Sequence, residues 1–209
     1  MKGRFFVIEG LDGSGKATQI RLLTKRLRAK GHTVTVFSFP NYSSAIGGFI
    51  RDALRGKHGD FRNINAYYRS FPYAIDQVLM RDKLLAARKK GIVLCDRYVT
   101  SNLAFNAALC QSKKRQAFRK FFEDLEYGSF KLPRPDRVIY LSIPVSLSRK
   151  RLHKERSGKL DTNEQDAKYQ KAVAAEYAYL AKRKEWRTVA CREGESPEAI
   201  AKKVEDALR

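Results

Sequence analysis

Cysteine is scarce in this sequence. The three present, Cys95, Cys110 and Cys191, show no C-x-x-C spacing and no disulfide framework. Cys95 and Cys191 fall in expected strands and read as small core residues, and a reducing cytoplasm is the natural home for such a chain. Long apolar runs are missing too, so no segment reads as a membrane span. Phe5 to Ile8 is too short for a signal-peptide core and runs at once into Glu9. No repeat, linker or low-complexity stretch divides the chain, which is expected to form one domain over 1–209 with a full-sized core. His32, His58 and His153 show no partner pattern and read as surface residues. Acid is the other shortage: 22 Asp and Glu stand against 43 Lys and Arg, a net charge of +21. The basic residues are spread along many segments rather than gathered in one arm. The sequence therefore reads as a solvated basic surface, with only non-specific nucleic-acid binding at low salt.

What is present is punctuated by one glycine-rich stretch. Arg4 to Ile8 is apolar and strand-like, Gly10-Leu11-Asp12-Gly13-Ser14-Gly15-Lys16 turns, and Ile20, Leu22, Leu23 and Leu27 then recur at helical spacing. Strand, glycine turn, lysine and helix together make a G-x-x-x-x-G-K phosphate-binding loop. Its backbone N–H groups and the start of the helix face an anion. Lys16 reaches the β/γ-phosphates as a point charge. Ala17 follows Lys16 where Ser or Thr normally offers a hydroxyl to Mg²⁺, and Thr18 points elsewhere. Mg²⁺ is therefore expected to be held by phosphates, waters and a carboxylate.

Strands and helices alternate along the rest. Strands are expected at Thr33 to Phe37, Gly91 to Cys95, Arg137 to Leu141 and Arg187 to Cys191. Helices are expected at Ile46 to Leu54, Asn63 to Arg88, Arg115 to Glu126, Val145 to His153, Glu164 to Lys184 and Pro197 to Leu208. This is an α/β pattern: a P-loop NTPase-type five-stranded parallel sheet with helices on both faces. Ligands in such sheets lie beyond the carboxyl ends of the strands. Two further motifs stand there, Phe39-Pro40-Asn41-Tyr42-Ser43 and Asp96-Arg97-Tyr98-Val99-Thr100-Ser101-Asn102.

With the glycine loop, these motifs resemble the thymidylate kinase family over nearly the whole chain, from Arg4 to about Leu208. The run Gly15-Lys16-Ala17-Thr18-Gln19 is also similar to adenylate kinases, whose loops lack a hydroxyl directly after the lysine. The resemblance implies phosphoryl transfer from ATP to a deoxynucleoside monophosphate, dTMP above all, with ATP and Mg²⁺ as cofactors. It also implies a homodimer and a short lid at about 149–163. An ionised phosphate oxygen attacks, so the site needs cations and oriented N–H groups rather than a strong base.

On the family pattern, Gly10, Leu11, Asp12, Gly13, Ser14, Gly15, Lys16, Ala17 and Thr18 hold ATP. Arg97 grips the acceptor phosphate as a bidentate fork, against the alternative of a surface ion pair. Asp96 orders Mg²⁺ through water, or caps a neighbouring N–H, or both. The resemblance gives Asp12 the sugar 3′-hydroxyl of the acceptor. Tyr42 reaches the acceptor phosphate through its hydroxyl, and Phe39 and Pro40 shape the monophosphate wall, although Phe39-Pro40 reads equally as a loop anchor. Tyr73 stacks on the base, Ser101 and Asn102 line its pocket, and Phe105 crowds the ribose 2′ position. Gln77 stands where the family has arginine, leaving other pyrimidines open, and Arg69 and Arg81 are candidate substitutes for that cation. Gly13 replaces a loop arginine of some members, so a lid cation is expected from Arg151 and Arg156, with Arg149 next. Thr162 stands where the family often has arginine.

Two other readings compete. A nucleoside kinase needs a carboxylate base after the second strand, and Phe39-Pro40-Asn41-Tyr42 has none. A nucleic-acid-associated ATPase, suggested by the charge, usually carries a paired Asp-Glu at the third strand, where this chain has Asp96-Arg97. A GTPase is disfavoured by the lack of an Asn-Lys-x-Asp motif.

Overall fold

A computed structural model describes residues 3–155 and 160–209. Five strands form one parallel sheet: β1 (Phe5–Gly10), β2 (Val34–Ser38), β3 (Ile92–Asp96), β4 (Arg137–Ser142) and β5 (Trp186–Ala190). Their spatial order is β2-β3-β1-β4-β5. β1 is the middle strand, with Val7 opposite Cys95 on one side and Val138 on the other. It is buried along its whole length, as is expected of a parallel strand covered on both faces.

The helices are α1 (Lys16–Ala29), α2 (Ala45–Leu54), α3 (Ala66–Lys90), α4 (Val99–Ala107), α5 (Arg115–Glu123), α6 (Val145–Glu155), α7 (Thr162–Gln165), α8 (Ala167–Leu180) and α9 (Pro197–Asp206). Each expected strand is present within two residues. Two helical expectations are corrected. The stretch Glu164 to Lys184 is not one helix: α7 ends at Gln165, and Asp166 turns extended and caps α8 by accepting from Tyr169 N–H. The helix expected to run to Glu126 stops at Glu123 and continues as a π-helical turn, Asp124–Ser129.

Side-chain caps start three of the helices that frame the site. Ser44 accepts from Gly47 N–H at α2, and Asn65 from Tyr67 N–H at α3. Asp161 and Glu164 form a reciprocal capping box at α7. α1 and α4 have no side-chain cap. α1 follows Gly15, at φ 92°, so its first N–H groups open onto the glycine loop.

The core lies on both faces of β1, β3 and β4. Phe5, Val7, Val93, Leu94, Ile139 and Leu141 are among its buried residues. Cys95 and Cys191 are buried within it, as expected. His58 and His153 are exposed and His32 half-buried. Among the described residues, no helix is long and apolar enough to cross a membrane.

Candidate active site

β1, β2 and β3 end together, and the loops that leave them enclose two adjoining cavities. The first, about 620 Å³, is lined by the glycine loop from Asp12 to Gln19, by Ser38 and Asp96 at strand ends, and by Arg151 of α6. The second, about 370 Å³, is walled by α2, α3, α4 and α7 and includes Tyr73, Gln77, Asn102, Phe105 and Asn163. Asp12, Phe39, Pro40, Tyr42 and Arg97 line both. Residues from three separate motifs of the sequence therefore stand where the two chambers meet.

The loop folds tightly. Gly13 has φ 74°, and a Cβ there would come within 2.5 Å of the Ser148 carbonyl. Only glycine permits this contact between loop and α6. Ser148 Oγ donates to the Asp12 carbonyl at 2.5 Å and fastens the contact. Lys16 is buried, and its Nζ donates to the carbonyls of Gly10 (3.2 Å) and Leu11 (2.9 Å) and lies 3.8 Å from Asp12 Oδ1. Burial and the nearby Arg97 charge lower the Lys16 pKa. Ala17 and Thr18 line the same cavity, and Ser14 Oγ is buried without a partner.

Arg97 is the hinge of the arrangement. Its backbone is left-handed, at φ 64°, which is unfavourable for a residue with a Cβ. Its guanidinium donates to Asp12 Oδ1 (2.7 Å), Ser101 Oγ (3.1 Å) and the Tyr177 hydroxyl (3.1 Å), and lies 4.8 Å over the Phe105 ring. Beneath it is a residue given no role from sequence, Glu9. This wholly buried carboxylate accepts from Tyr98 N–H (3.2 Å), Thr100 Oγ1 (2.6 Å), Ser101 Oγ (2.6 Å) and the Tyr177 hydroxyl (2.8 Å). Burial raises the Glu9 pKa, and the Arg97 charge opposes that rise. Glu9 thus anchors both sides of the strained turn. Its only sequence signal is a charged residue closing an apolar strand.

Other residues fall where the motifs placed them. Asp96 ends β3, and its Oδ1 is buried without a hydrogen-bond partner. Phe39 is buried, the Phe39–Pro40 peptide is cis, and Tyr42 is 46% exposed on the rim. Asp76 of α3 holds this loop by accepting from Asn41 N–H (2.7 Å) and Ser44 Oγ (3.1 Å). Ser101 lines the second cavity, and its hydroxyl is engaged by Glu9, Arg97 and Tyr177.

The suggested extra cations divide. Arg151 lines the first cavity. Arg149 is turned away, donating to the carbonyls of Glu164 (3.1 Å) and Gln165 (3.0 Å). Arg156 lies outside the described residues. Arg81 does not line the second cavity: it donates to the Lys131 carbonyl (3.0 Å) and pairs with Asp82 (2.9 Å). Arg69 is 1% exposed, donates to Asn163 Oδ1 (2.9 Å) and lies over the Phe61 and Tyr169 rings. Sequence reasoning missed Arg51 and Arg55 of the α2 end, which do line that cavity.

Comparison with known proteins gives a consistent result. A family profile described as thymidylate kinase matches residues 8–204. The chain is 32% identical over 180 residues to a thymidylate kinase of Mycobacterium tuberculosis, covering 83% of this chain and 84% of that protein. It is 36% identical over 187 residues to a probable thymidylate kinase of Thermococcus onnurineus, covering 86% and 84%. A solved thymidylate kinase structure from Candida albicans superposes with a TM-score of 0.77 at 21% identity, over 99% of this chain and 91% of that one.

Proposed function

The chain belongs to the thymidylate kinase family, and from that premise we propose that it transfers the terminal phosphoryl group of ATP to dTMP, yielding ADP and dTDP. One observation carries the reading: two cavities, one lined by the phosphate loop and one by aromatic and amide side chains, meet at Asp12 and Arg97. Transfer between two bound nucleotides needs such a meeting point.

An acceptor phosphate oxygen attacks the γ-phosphorus, and the bond from that phosphorus to the bridging oxygen of ADP breaks. Both partners are anions, so the protein's task is alignment and charge neutralisation. The open N-terminus of α1 and the loop from Gly10 to Lys16 cradle the ATP phosphates. Lys16 exchanges its carbonyl contacts for phosphate oxygens. Arg97 grips the acceptor phosphate, and Asp12 aims Arg97 and accepts from the sugar hydroxyl. Arg151 supplies the cation that Gly13 cannot, from the helix packed on Gly13. Tyr73 and Phe105 enclose base and sugar, and Gln77 and Asn102 read the base edge. The lid over about 149–163, of which 156–159 lie outside the described residues, closes over the site against water.

The orphaned Asp96 Oδ1 fits a Mg²⁺ held by phosphates, waters and one carboxylate, and no group of three candidate ligands stands there among the described residues. Mg²⁺ would neutralise phosphate charge when bound. The reading includes one domain over 1–209, a cytoplasmic location and no specific nucleic-acid partner. It also includes a homodimer through α3, where Tyr68, Ile75 and Leu79 form an exposed apolar stripe at helical spacing.

The test is an ADP-release assay with Mg·ATP against dTMP, dUMP, dCMP, UMP, CMP and AMP, on protein stripped of nucleic acid at high salt. Turnover is expected to be highest with dTMP. ATP hydrolysis stimulated by DNA or RNA, with no monophosphate turnover, would overturn the reading.

A further inference from the structure

Four side-chain amides line the acceptor cavity: Gln77, Asn102, Asn106 and Asn163. The Asn163 oxygen is held by Arg69 at 2.9 Å. Of the other three, two are fixed and one is not. Asn102 Nδ2 donates to Glu126 Oε1 at 2.7 Å and to the Ser70 carbonyl at 3.4 Å. Its Oδ1 accepts from Asn106 Nδ2 at 2.7 Å, and that same nitrogen donates to the Asn102 backbone carbonyl at 3.2 Å. This arrangement has one sense only. Turning the Asn102 amide over would set its oxygen against Glu126 Oε1 and against the Ser70 carbonyl. It would also set its nitrogen against Asn106 Nδ2, which the backbone carbonyl holds in place.

Both Asn102 donors are therefore spent inside the protein, and what remains for a ligand is an acceptor lone pair. Asn106 is alike: both its protons are committed, and its Oδ1 is buried without a partner. Gln77 is the contrast. It is 3% exposed, its Oε1 has no partner, and no hydrogen bond among the described residues fixes the sense of its amide. Gln77 can turn to donate or to accept; Asn102 cannot.

Glu126 accepts the shorter of the two bonds that Asn102 donates. It is wholly buried on the π-helical turn Asp124–Ser129, its Oε1 goes to Asn102, and its Oε2 has no partner. A buried carboxyl is costly to fold in. The π-turn, a geometry frequent at functional sites, aims it at the cavity wall.

We propose that Glu126 is a specificity-determining positioning residue: by holding Asn102 with its donors inward, it makes the acceptor cavity take a pyrimidine that offers a ring N–H and refuse one that offers a ring lone pair. Thymine and uracil present N3–H beside the O4 acceptor; cytosine presents an N3 lone pair beside its amino donor. Gln77 can serve either edge at position 4. The discrimination therefore lies in Asn102 and in the carboxyl behind it. The inference rests on the second cavity being the site of the monophosphate base.

The experiment measures kcat and KM for dTMP and dCMP, at saturating Mg·ATP, in wild type, Glu126→Leu and Glu126→Gln. Wild type is expected to favour dTMP by roughly a hundredfold or more in kcat/KM. Glu126→Leu is expected to narrow that ratio at least about tenfold, by raising the dTMP KM and admitting dCMP, with kcat and the ATP KM within about twofold. Glu126→Gln keeps a carbonyl acceptor and should restore the wild-type ratio. An unchanged ratio in folded Glu126→Leu overturns the proposal. Where Glu126→Leu does not fold, Glu126→Met, close to glutamate in length and without an oxygen acceptor, must narrow the ratio likewise; an unchanged ratio there also overturns it. Wild type with no monophosphate turnover sinks the kinase reading and this inference together. Normal dTMP turnover with an unmoved ratio sinks this inference alone.

Discussion

The two ends of the site are built from different chemistry. At the phosphate end, Lys16, Asp12 and Arg97 are charged, and Arg97 alone contacts Asp12, Ser101, Tyr177 and Phe105. At the base end the wall also carries charge, at Arg51, Arg55, Asp76 and Asp161, but the groups beside Tyr73 and Phe105 are the amides of Gln77, Asn102 and Asn106. Charge acts at a distance and on any phosphate. An amide acts only at contact, and only in the sense its neighbours impose. Damage at the phosphate end should therefore lower turnover alike for every acceptor, whereas damage at the base end should change which acceptor is preferred.

Arg97→Ala should have the largest effect. Loss of a guanidinium aimed at developing charge predicts roughly a 10²–10³-fold fall in kcat/KM. The fall should be equal for dTMP and dUMP, as steady-state kinetics with both acceptors will show. A base-dependent loss would break the division.

Gly13→Ala comes next. The new Cβ would sit 2.5 Å from the Ser148 carbonyl at a φ of 74°, so the loop or α6 must move. Expected are a loss of about 1–3 kcal/mol in denaturant unfolding and roughly tenfold or more in kcat, with Arg151 displaced along with α6. Wild-type kcat would show that this contact does not set the donor site.

Glu126 gives a pH signature from the base end. Burial pushes its carboxyl from 4.5 up to about 8. A raised folded-state pKa means that the folded chain binds this proton more tightly. The contribution is complete below pH 4.5 and is lost as pH rises through about 8. Glu126→Gln should flatten the decline in Tm between those limits. The flattening should be partial, because Glu9 is raised by burial too and remains. An unchanged Tm profile would contradict a protonated Glu126.

The smallest effect separates two arginines of α6. Arg151→Ala should lower kcat by roughly tenfold. Arg149→Ala, which loses only its bonds to the α7 carbonyls, should cost about 1 kcal/mol of stability and little turnover.

The same division explains what the sequence disclosed. The strands were legible because parallel strands are apolar throughout, and the phosphate end because its motifs are local, as Gly10 to Lys16 and Asp96-Arg97 show. Helix α4 was not recognised as a helix. Thr100, Ser101, Asn102 and Asn106 are polar yet buried on it, so no amphipathic stripe marks it. Glu9 and Glu126 were silent because their partners lie 89 to 168 and 24 residues away. Arg81 looked apt by helical spacing, but its side chain goes to Lys131. The break at Asp166 was a local signal, an acidic cap, hidden within an apolar periodicity that runs past it.

Transfer between two chambers that meet at Asp12 and Arg97 is best tested by the product balance of wild type and Arg97→Ala with ATP and dTMP, followed by ³¹P NMR. Expected are dTDP and ADP forming together in equal amounts, with both falling roughly 10²–10³-fold in the variant. ADP accumulating without dTDP, or dTDP formation unaffected by the loss of Arg97, would contradict it.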